Sequence, residues 1–473
     1  MTKKLSLQQF PETKNDLPVK VLQFGEGNFM RAFVDWQIQQ MNTQGLFNGK
    51  VAVVQPINQG LGDMLQAQDN LYTVILEGLL DGQLVETSEI IHVLDSVTNP
   101  YQSHEAYLAL AENKDLEFVV SNTTEAGIQF NPNDCLEDTP QQSFPGKLTA
   151  FLYKRYQAKL AGLTIIPCEL IDRNGDKLKE IVLQYADLWA LPSEFKAWLE
   201  NENTFCCSLV DRIVPGYPRD TAKEWAEKLG YEDQLMVKAE PFMLWVIEGP
   251  QSLTQTLPLA EAGLNVIVTS DMTPYRERKV HLLNGPHTAM VPLALLAGLN
   301  TVDEVMNDVD FRPFVDDLFA KELIPMLNLP KAELDEYAEQ IKERFLNPFA
   351  HHQLSAISLN SVSKFTARLL PILTRYIETE NDVPVHLAAS LAALILSYRG
   401  DQVTPADDEA IVTFFQKAWQ TPASVVATAL ANTDLWGQDL TTLPDLQAVV
   451  QTQLEAIENR GARAVVQSLK GEK

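Results

Sequence analysis

The chain has 473 residues and a formal net charge of −26, with a sequence pI near 4.6. A single hydrophobic core stops growing at about 250–300 residues, so this length predicts two or more domains. The negative charge argues against binding to nucleic acid or to anionic membrane surfaces. No apolar run approaches the roughly 20 residues that a bilayer crossing needs, and no secretion signal is visible, so we expect a cytoplasmic protein that acts on a small molecule.

Near the amino terminus, the pattern predicts a strand over 19–24, a tight turn at Gly25-Glu26-Gly27 and a helix that begins at Asn28. Glycines in such a turn let the backbone approach a pyrophosphate at a helix amino terminus. The third glycine of the usual dinucleotide fingerprint is absent, because Met30 stands in its place. A strand, turn and helix without any ligand is therefore the alternative.

Two further apolar segments predict strands that end in polar residues. The strand over 50–55 ends at Gln55, where an acid usually faces the adenosine ribose and selects NAD over NADP. A neutral amide neither repels nor pairs with a 2′-phosphate, so this position leaves the cofactor preference open. The strand from Leu116 ends near Thr124 and Glu125, which indicates either a cofactor contact or only a capping turn.

The segment Val-Asp-Arg-Ile, with Asp211 and Arg212 at its centre, brings two charges to the end of a predicted strand. In open α/β folds, ligands gather at such strand ends. Asp211 could contact a substrate hydroxyl there. The alternative is an internal ion pair that anchors the loop.

Three residues within nine positions, Lys279, Asn284 and His287, supply a proton carrier, an amide and an imidazole. On an ideal helix at about 100° per residue, they would point within an arc of roughly 140°. Oxidation of an alcohol needs a base for the hydroxyl proton and donors for the developing oxyanion. Lysine can serve if burial and cationic neighbours such as Arg276 and Arg278 lower its pKa. Three unrelated residues on a solvated helix remain the alternative.

Along the chain, apolar segments at 18–24, 51–54, 74–80, 88–93, 117–121, 163–168 and 206–213 alternate with helical stretches, which is typical of a wound α/β sheet. From about Pro274 onward, long amphipathic helices replace the strands, including 275–298, 351–377 and 444–470. We therefore predict a Rossmann-like dinucleotide-binding domain over 1–272 and an all-helical substrate domain over 273–473. A kink is expected at Gly285-Pro286.

The four cysteines contain no Cys-x-x-Cys pair, and no His-Glu-x-x-His pattern occurs. Adjacent histidines at His351 and His352 diverge on a helix, so they make a poor metal pair. We expect no metal site.

Together, these motifs resemble the mannitol dehydrogenase family of long-chain, zinc-independent polyol dehydrogenases. The likeness rests on the spacing of Lys279, Asn284 and His287, on Val-Asp-Arg-Ile, and on a shortened Gly-x-Gly fingerprint followed by Phe and Arg. It implies a helical second domain similar to that of 6-phosphogluconate dehydrogenase. It also implies a lysine general acid/base, an asparagine oxyanion partner and a histidine that contacts a substrate hydroxyl. The implied cofactor contacts are Gly25, Gly27, Asn28, Phe29, Arg31, Gln55, Thr124 and Glu125.

Two departures from the polyol members favour a hexuronate-reducing branch that uses NADH. Leu170 stands where polyol dehydrogenases carry a second oxyanion asparagine, and Leu-Asn-Ser replaces Asp-Gly-Ser before Lys364. A carboxylate substrate of an acidic protein requires a local cationic pocket, for which Arg276, Lys364 and Arg368 are candidates. Arg276 and Arg278 could instead form surface ion pairs. A fructuronate reductase or a mannitol-type polyol 2-dehydrogenase is the alternative function.

Overall fold

A computed structural model describes residues 3–124, 126–350 and 352–470. The chain divides into two compact units. Unit 1 comprises Met1–Glu77 and Leu84–Met272, and unit 2 comprises Gly78–Gln83 and Thr273–Lys473. The assignment of cofactor binding to 1–272 and of substrate binding to 273–473 stays a prediction.

Strands are concentrated in the first part of the chain. They are β1 (Lys3–Lys4), β2 (Val19–Phe24), β3 (Lys50–Val54), β4 (Tyr72–Leu80), β5 (Gln83–Ile91), β6 (Leu94–Thr98), β7 (Phe118–Ser121), β8 (Thr164–Pro167), β9 (Thr204–Phe205), β10 (Cys207–Asp211), β11 (Tyr231–Glu232), β12 (Val237–Ala239), β13 (Leu244–Glu248) and β14 (Val266–Thr269).

Unit 1 also contains helices that precede or follow these strands. They are α1 (Asn28–Ala32), α2 (Val34–Thr43), α3 (Gly62–Ala67), α4 (His104–Ala109), α5 (Phe144–Gln157), α6 (Asn174–Leu188), α7 (Ser193–Asn201), α8 (Ala222–Leu229) and α9 (Leu253–Thr256).

The main sheet of unit 1 has six parallel strands in the order β6-β3-β2-β7-β8-β9. Successive side chains of a strand face opposite sides of a sheet, so a sheet covered on both sides needs apolar residues at almost every position. Val21 and Val53 belong to one core cluster, whereas Leu22 and Val54 belong to another. Helices α1 and α2 contribute to the first cluster, and α5 and α6 to the second. The predicted wound α/β sheet is confirmed.

Three of the predicted strands are absent from this sheet, which corrects our expectation. The strands β4 and β5 form a small sheet with β12, and β10 forms another with β13 and β14. A connection of only Asp81 and Gly82 separates β4 from β5, and so short a link makes neighbouring strands rather than a crossover. The strand β10 pairs antiparallel with β13, which removes it from the parallel order.

In unit 2, the described residues from 273 onward form helices. They are α10 (Thr273–Arg278), α11 (Gly285–Leu296), α12 (Val302–Asn307), α13 (Phe311–Asp317), α14 (Lys331–Phe345), α15 (Leu354–Ile357), α16 (Ser361–Arg368), α17 (Leu370–Glu380), α18 (Val385–Ser397), α19 (Glu409–Ala418), α20 (Val425–Leu430), α21 (Thr433–Trp436), α22 (Leu446–Arg460) and α23 (Ala462–Ser468).

The central helix of unit 2 is α18, in which every residue from His386 to Ser397 is buried. It packs against α11 and α22. The long helix predicted over 351–377 is wrong: the structure has α15, α16 and α17 there, and Asn360 adopts a left-handed conformation with φ of 53° between the first two. Among the described residues, no helix is both long and apolar enough to span a membrane.

Candidate active site

A cleft of about 710 Å³ in unit 1 lies at the carboxyl ends of the parallel strands. The turn after β2, the loop after β3 and the loop after β7 all contribute to its wall. Ligands of open parallel sheets bind at this edge. The residues supplied by these three segments are Gly25, Glu26, Gly27, Pro56, Ile57, Gln59, Asn122, Thr123 and Thr124.

The turn after β2 requires glycine at Gly25. Its φ is +109°, and a Cβ atom there would stand 2.7 Å from the carbonyl oxygen of Asn122. At Gly27, by contrast, a Cβ atom would meet no atom within 4 Å. The turn is thus closed on the β7 side and open at its second glycine, which leaves space for a ligand beside the backbone.

Two side chains that follow the turn, those of Arg31 and Phe29, contact other parts of unit 1. Arg31 is 2% exposed, and its guanidinium donates to the carbonyl of Glu26 at 3.1 Å, to Asn28 Oδ1 at 2.8 Å and to the carbonyl of Leu235. The Phe29 ring stacks on Phe33 with 4.8 Å between centroids. Arg31 therefore stabilises the turn through its hydrogen bonds to Glu26 and Asn28. A cofactor contact by Asn28, Phe29 or Arg31 stays a prediction.

Gln55, the predicted ribose contact, has its amide directed into its own loop. Nε2 donates to the carbonyls of Ile57 at 2.8 Å and Asn58 at 3.0 Å, while Oε1 accepts from the amide of Gly62 at 3.2 Å. The side chain is only 3% exposed. Both donors are therefore engaged within the loop that it shapes.

A carboxylate that the sequence reasoning did not single out holds the loop after β7. Glu169, which follows β8, accepts from the backbone amide and the hydroxyl of Thr123, both at 2.9 Å, and from Ser121 Oγ at 3.0 Å. Burial raises the pKa of Glu169, and these donors oppose the shift. Thr124, next in the loop, has φ of 76° and lines the cleft. Glu125 lies outside the described residues.

The first three residues of the Val-Asp-Arg-Ile segment are buried in unit 1, whereas Ile213 is 36% exposed. Arg212 donates to the carbonyls of Glu240 at 2.9 Å and Ala32 at 2.7 Å, and its guanidinium lies 4.4 Å from the centre of the Trp36 ring. Burial lowers the pKa of Arg212 to about 10. Asp211 is 6% exposed at the end of β10. Arg212 thus anchors the loop through two backbone carbonyls, and both the internal ion pair and the substrate contact by Asp211 stay predictions.

In unit 2, Lys279 and Asn284 are the first and last residues of a π-helical segment, Lys279–Asn284, between α10 and α11. Hydrogen bonds from i to i+5 widen the turn, and such segments are frequent at functional sites. The ideal arc of about 100° per residue therefore does not apply here. Gly285 and Pro286 begin α11 directly after this segment, with helical backbone on both sides, and the expected kink at Gly285-Pro286 stays a prediction.

His287 is buried on α11, with its ring stacked on Phe345 at 4.2 Å between centroids and edge-on to His352 at 5.2 Å. Burial, followed by the charges of His352, Arg344 and Arg368, lowers the pKa of His287 well below its usual value. The imidazole is therefore neutral at neutral pH. In that state one ring nitrogen can donate a hydrogen bond and the other can accept one.

Lys364 and Arg368 lie one helical turn apart on α16, which packs against α11 and the π-helical segment. Lys364 Nζ donates to the carbonyl of Ile357 at 2.8 Å, and Arg368 Nη1 donates to Thr288 Oγ1 at 3.2 Å. Burial lowers the pKa of both groups, and for Lys364 the charge of Arg368 adds to the effect. Among the described residues, neither side chain forms an ion pair with a carboxylate.

The two arginines before Lys279 differ in exposure. Arg276 is exposed, whereas Arg278 is 6% exposed, with its guanidinium 4.3 Å from the centre of the Tyr337 ring. Arg278 is therefore a packed residue of unit 2. Substrate binding by Arg276 stays a prediction.

Comparison with protein families matches both parts of the chain. Residues 19–261 match the mannitol dehydrogenase Rossmann domain, and residues 271–458 match the mannitol dehydrogenase C-terminal domain. The chain belongs to the mannitol dehydrogenase family. The resemblance based on the lysine, glycine and Val-Asp-Arg-Ile motifs is thereby confirmed.

Within this family, the chain is similar over nearly its whole length to several altronate oxidoreductases. That of Bacillus subtilis is 46% identical, with 95% of each chain covered. That of Phocaeicola vulgatus is 44% identical, with 98% of this chain and 99% of the relative covered. That of an Escherichia coli strain is 44% identical, with 99% and 100% covered.

Solved structures of family members share the fold. A ternary complex of Pseudomonas fluorescens mannitol 2-dehydrogenase with NAD and D-mannitol aligns with a TM-score of 0.72 at 22% identity, covering 99% of this chain and 100% of that one. A substrate-free D-sorbitol dehydrogenase aligns with a TM-score of 0.82 at 22% identity, covering 98% and 100%. Both solved structures therefore share the fold of this chain.

Within residues 3–124, 126–350 and 352–470, no group of three or more His, Cys, Asp or Glu side chains is placed to hold a metal ion. His351 lies outside the described residues.

Proposed function

We propose that this mannitol dehydrogenase family member interconverts D-tagaturonate and D-altronate, using NADH to reduce the keto acid and NAD to oxidise the aldonate. Similarity to altronate oxidoreductases at 44–46% identity, over 95% or more of each chain, carries the proposal. We further propose that the reaction takes place in the cytoplasm on a small hexuronate, and that nucleic acid is not a partner, since a net charge of −26 repels such polyanions.

A nicotinamide dinucleotide fits the cleft of unit 1. The closed turn at Gly25 and the open backbone at Gly27 provide the close approach that a pyrophosphate needs. Asn28, Phe29, Thr124 and Glu125 would complete the contacts, and Gln55 and Arg31 would hold the surrounding loops. When bound in its reduced form, the cofactor supplies the hydride for the carbonyl carbon.

Proton transfer is the task of Lys279 in this proposal. Its ammonium gives a proton to the keto oxygen during reduction, and the neutral amine takes it back during oxidation. Asn284 donates a hydrogen bond to the same oxygen, so the two ends of the π-helical segment serve one atom. Neutral, buried His287 orients a neighbouring substrate hydroxyl, since it can donate to or accept from that group without changing its charge.

The substrate carboxylate would be held by the cations of unit 2. Lys364 and Arg368 are partly buried, and among the described residues no carboxylate oxygen lies within 4 Å of either cation, although the charge of Asp407 acts on Lys364. A bound carboxylate would neutralise this pair, and an arginine can hold it with two parallel hydrogen bonds. Arg276 and Asp211 would contact other parts of the substrate. A polyol without a carboxylate offers no such compensation.

The test is the rate of loss of NADH absorbance by purified protein with D-tagaturonate, beside D-fructuronate and D-fructose, repeated with NADPH. We expect rapid loss with D-tagaturonate and NADH. Faster turnover of D-fructuronate or D-fructose would replace the substrate with that of a fructuronate reductase or a polyol 2-dehydrogenase. Absence of turnover with all three would contradict the proposed activity.

A further inference from the structure

The residue at the end of the second strand of the fold usually decides between NAD and NADP, but in this protein its side chain forms hydrogen bonds within its own loop. The end of β3 carries Gln55 instead of an acid, and both amide donors bind the carbonyls of Ile57 and Asn58. Selection against a 2′-phosphate, if it occurs, must therefore come from another residue near the same strand end.

The neighbouring acid is Glu26, between the two glycines of the turn after β2. Its side chain extends to the loop after β3, where Oε1 accepts from the backbone amide of Leu61 at 3.1 Å. The residue is 7% exposed and lines the cleft, and its second oxygen, Oε2, is buried without a hydrogen-bond partner. A buried carboxylate oxygen without a donor destabilises the folded protein. Its position beside a ligand cleft therefore indicates a function in ligand selection.

The loop after β3 is shaped to admit this carboxylate. A Cβ atom at Gly60 would stand 2.0 Å from Glu26 Oε1 and 2.7 Å from Gln55 Cδ. Any larger residue at this position would displace the ends of both side chains. Glu26 and Gln55 thus form one assembly with this loop, in which the amide shapes the backbone and the acid supplies the charge.

The charge balance of the cleft is one-sided. Among its described lining residues, Glu26 is the one with a charged side chain, and none is lysine, arginine or histidine. Burial raises the pKa of Glu26, and the amide of Leu61 and the charge of Arg31 oppose this shift, while the Arg31 side chain itself donates to the Glu26 carbonyl. A 2′-phosphate arriving here would meet a negative charge and no cation to hold it, whereas sites for NADP normally provide an arginine.

We infer that Glu26 is the specificity-determining acid of the cofactor site: the negative charge of its carboxylate disfavours the 2′-phosphate of NADPH and leaves NADH as the preferred cofactor. The inference deepens the proposed function, because it rests on the cleft of unit 1 being the nicotinamide site. It moves the selecting acid from the end of β3 to the glycine turn.

The test is cofactor binding to the intact protein without substrate, measured by titration with NADH and with NADPH. Glu26→Gln keeps an oxygen for the Leu61 amide and removes the charge. We expect the wild-type protein to favour NADH and the variant to lose about tenfold or more of that preference. Repulsion between the carboxylate and a 2′-phosphate at short range changes an affinity by this order. The matched control is Asp63→Asn, an exposed acid on α3, which changes the net charge equally.

Each outcome bears on the inference. Lost preference in Glu26→Gln but not in Asp63→Asn supports it. An unchanged preference in Glu26→Gln, an equal loss in both variants, or a wild-type protein that binds NADPH as tightly as NADH overturns it. Because these titrations contain no hexuronate, failure of the proposed substrate would leave the result intact. Thermal unfolding of both variants shows whether a change in binding reflects loss of folding.

Discussion

The two candidate binding regions differ in local charge. The cleft of unit 1 is lined by one acid and by no cation among its described residues, whereas the charges of Arg344 and Arg368 act on His287 in unit 2, and Lys364 lies one helical turn from Arg368. Because the whole chain carries a net charge of −26, the cations of unit 2 depart from the average composition, whereas the acid in the cleft of unit 1 does not.

The largest expected effect concerns proton transfer in unit 2. Lys279→Ala should reduce kcat with D-tagaturonate by about 10²–10⁴-fold, the usual contribution of a general acid, while NADH affinity stays nearly unchanged. Steady-state kinetics and NADH titration measure the two quantities. Lys331→Ala is the control, because that side chain is 75% exposed in a surface ion pair. Turnover retained in Lys279→Ala would remove the residue from this role.

The proposed binding of the substrate carboxylate in unit 2 is tested at Arg368. Arg368→Gln should raise the KM for a hexuronate by about 10- to 100-fold, since hydrogen bonds to charged groups contribute about 1.5–3 kcal/mol. Any turnover of D-fructose, which lacks a carboxylate, should change much less. A parallel loss for both substrates would mean that Arg368 supports the packing around Thr288 instead of binding the carboxylate.

The geometry of the cofactor turn is tested by two glycine variants. Gly25→Ala should destabilise the protein by about 1–3 kcal/mol, because alanine is strained at φ of +109° and its methyl group would press on the Asn122 carbonyl. Gly27→Ala is the matched control, as its methyl group meets no protein atom within 4 Å. Urea unfolding measures stability, and NADH titration measures binding. Equal stability of the two variants would contradict the described turn.

The smallest effect is a dependence of stability on pH through His287. Its pKa is depressed in the folded protein, so the unfolded chain binds the extra proton first as pH falls below about 6.5, and stability decreases in that window by up to about 1.4 kcal/mol per pH unit. His287→Gln should flatten this slope. Unfolding midpoints at pH 7.5 and 5.5 provide the comparison, and an unchanged slope would show that the imidazole is not the responsible group.

Much of the fold follows from local patterns. Continuous apolar runs such as 51–54 indicated strands buried on both faces, and the loss of such runs after Pro274 indicated the helical half. The pairing of β4, β5 and β10 outside the main sheet was not visible, because an apolar run does not specify its neighbour. The π-helical segment was missed for a related reason, since its widened turn depends on packing around Lys279–Asn284.

The sequence by itself determined the family, the order of the two domains and the chemical groups available, because motifs and periodicity are local properties. The tertiary structure alone decided how these groups are used. It turned Gln55 into its loop, placed Glu26 beside it, made Glu169 a support for Thr123, and set Lys364 one helical turn from Arg368 on α16. These roles depend on burial and on neighbours distant in the chain, which no short motif contains.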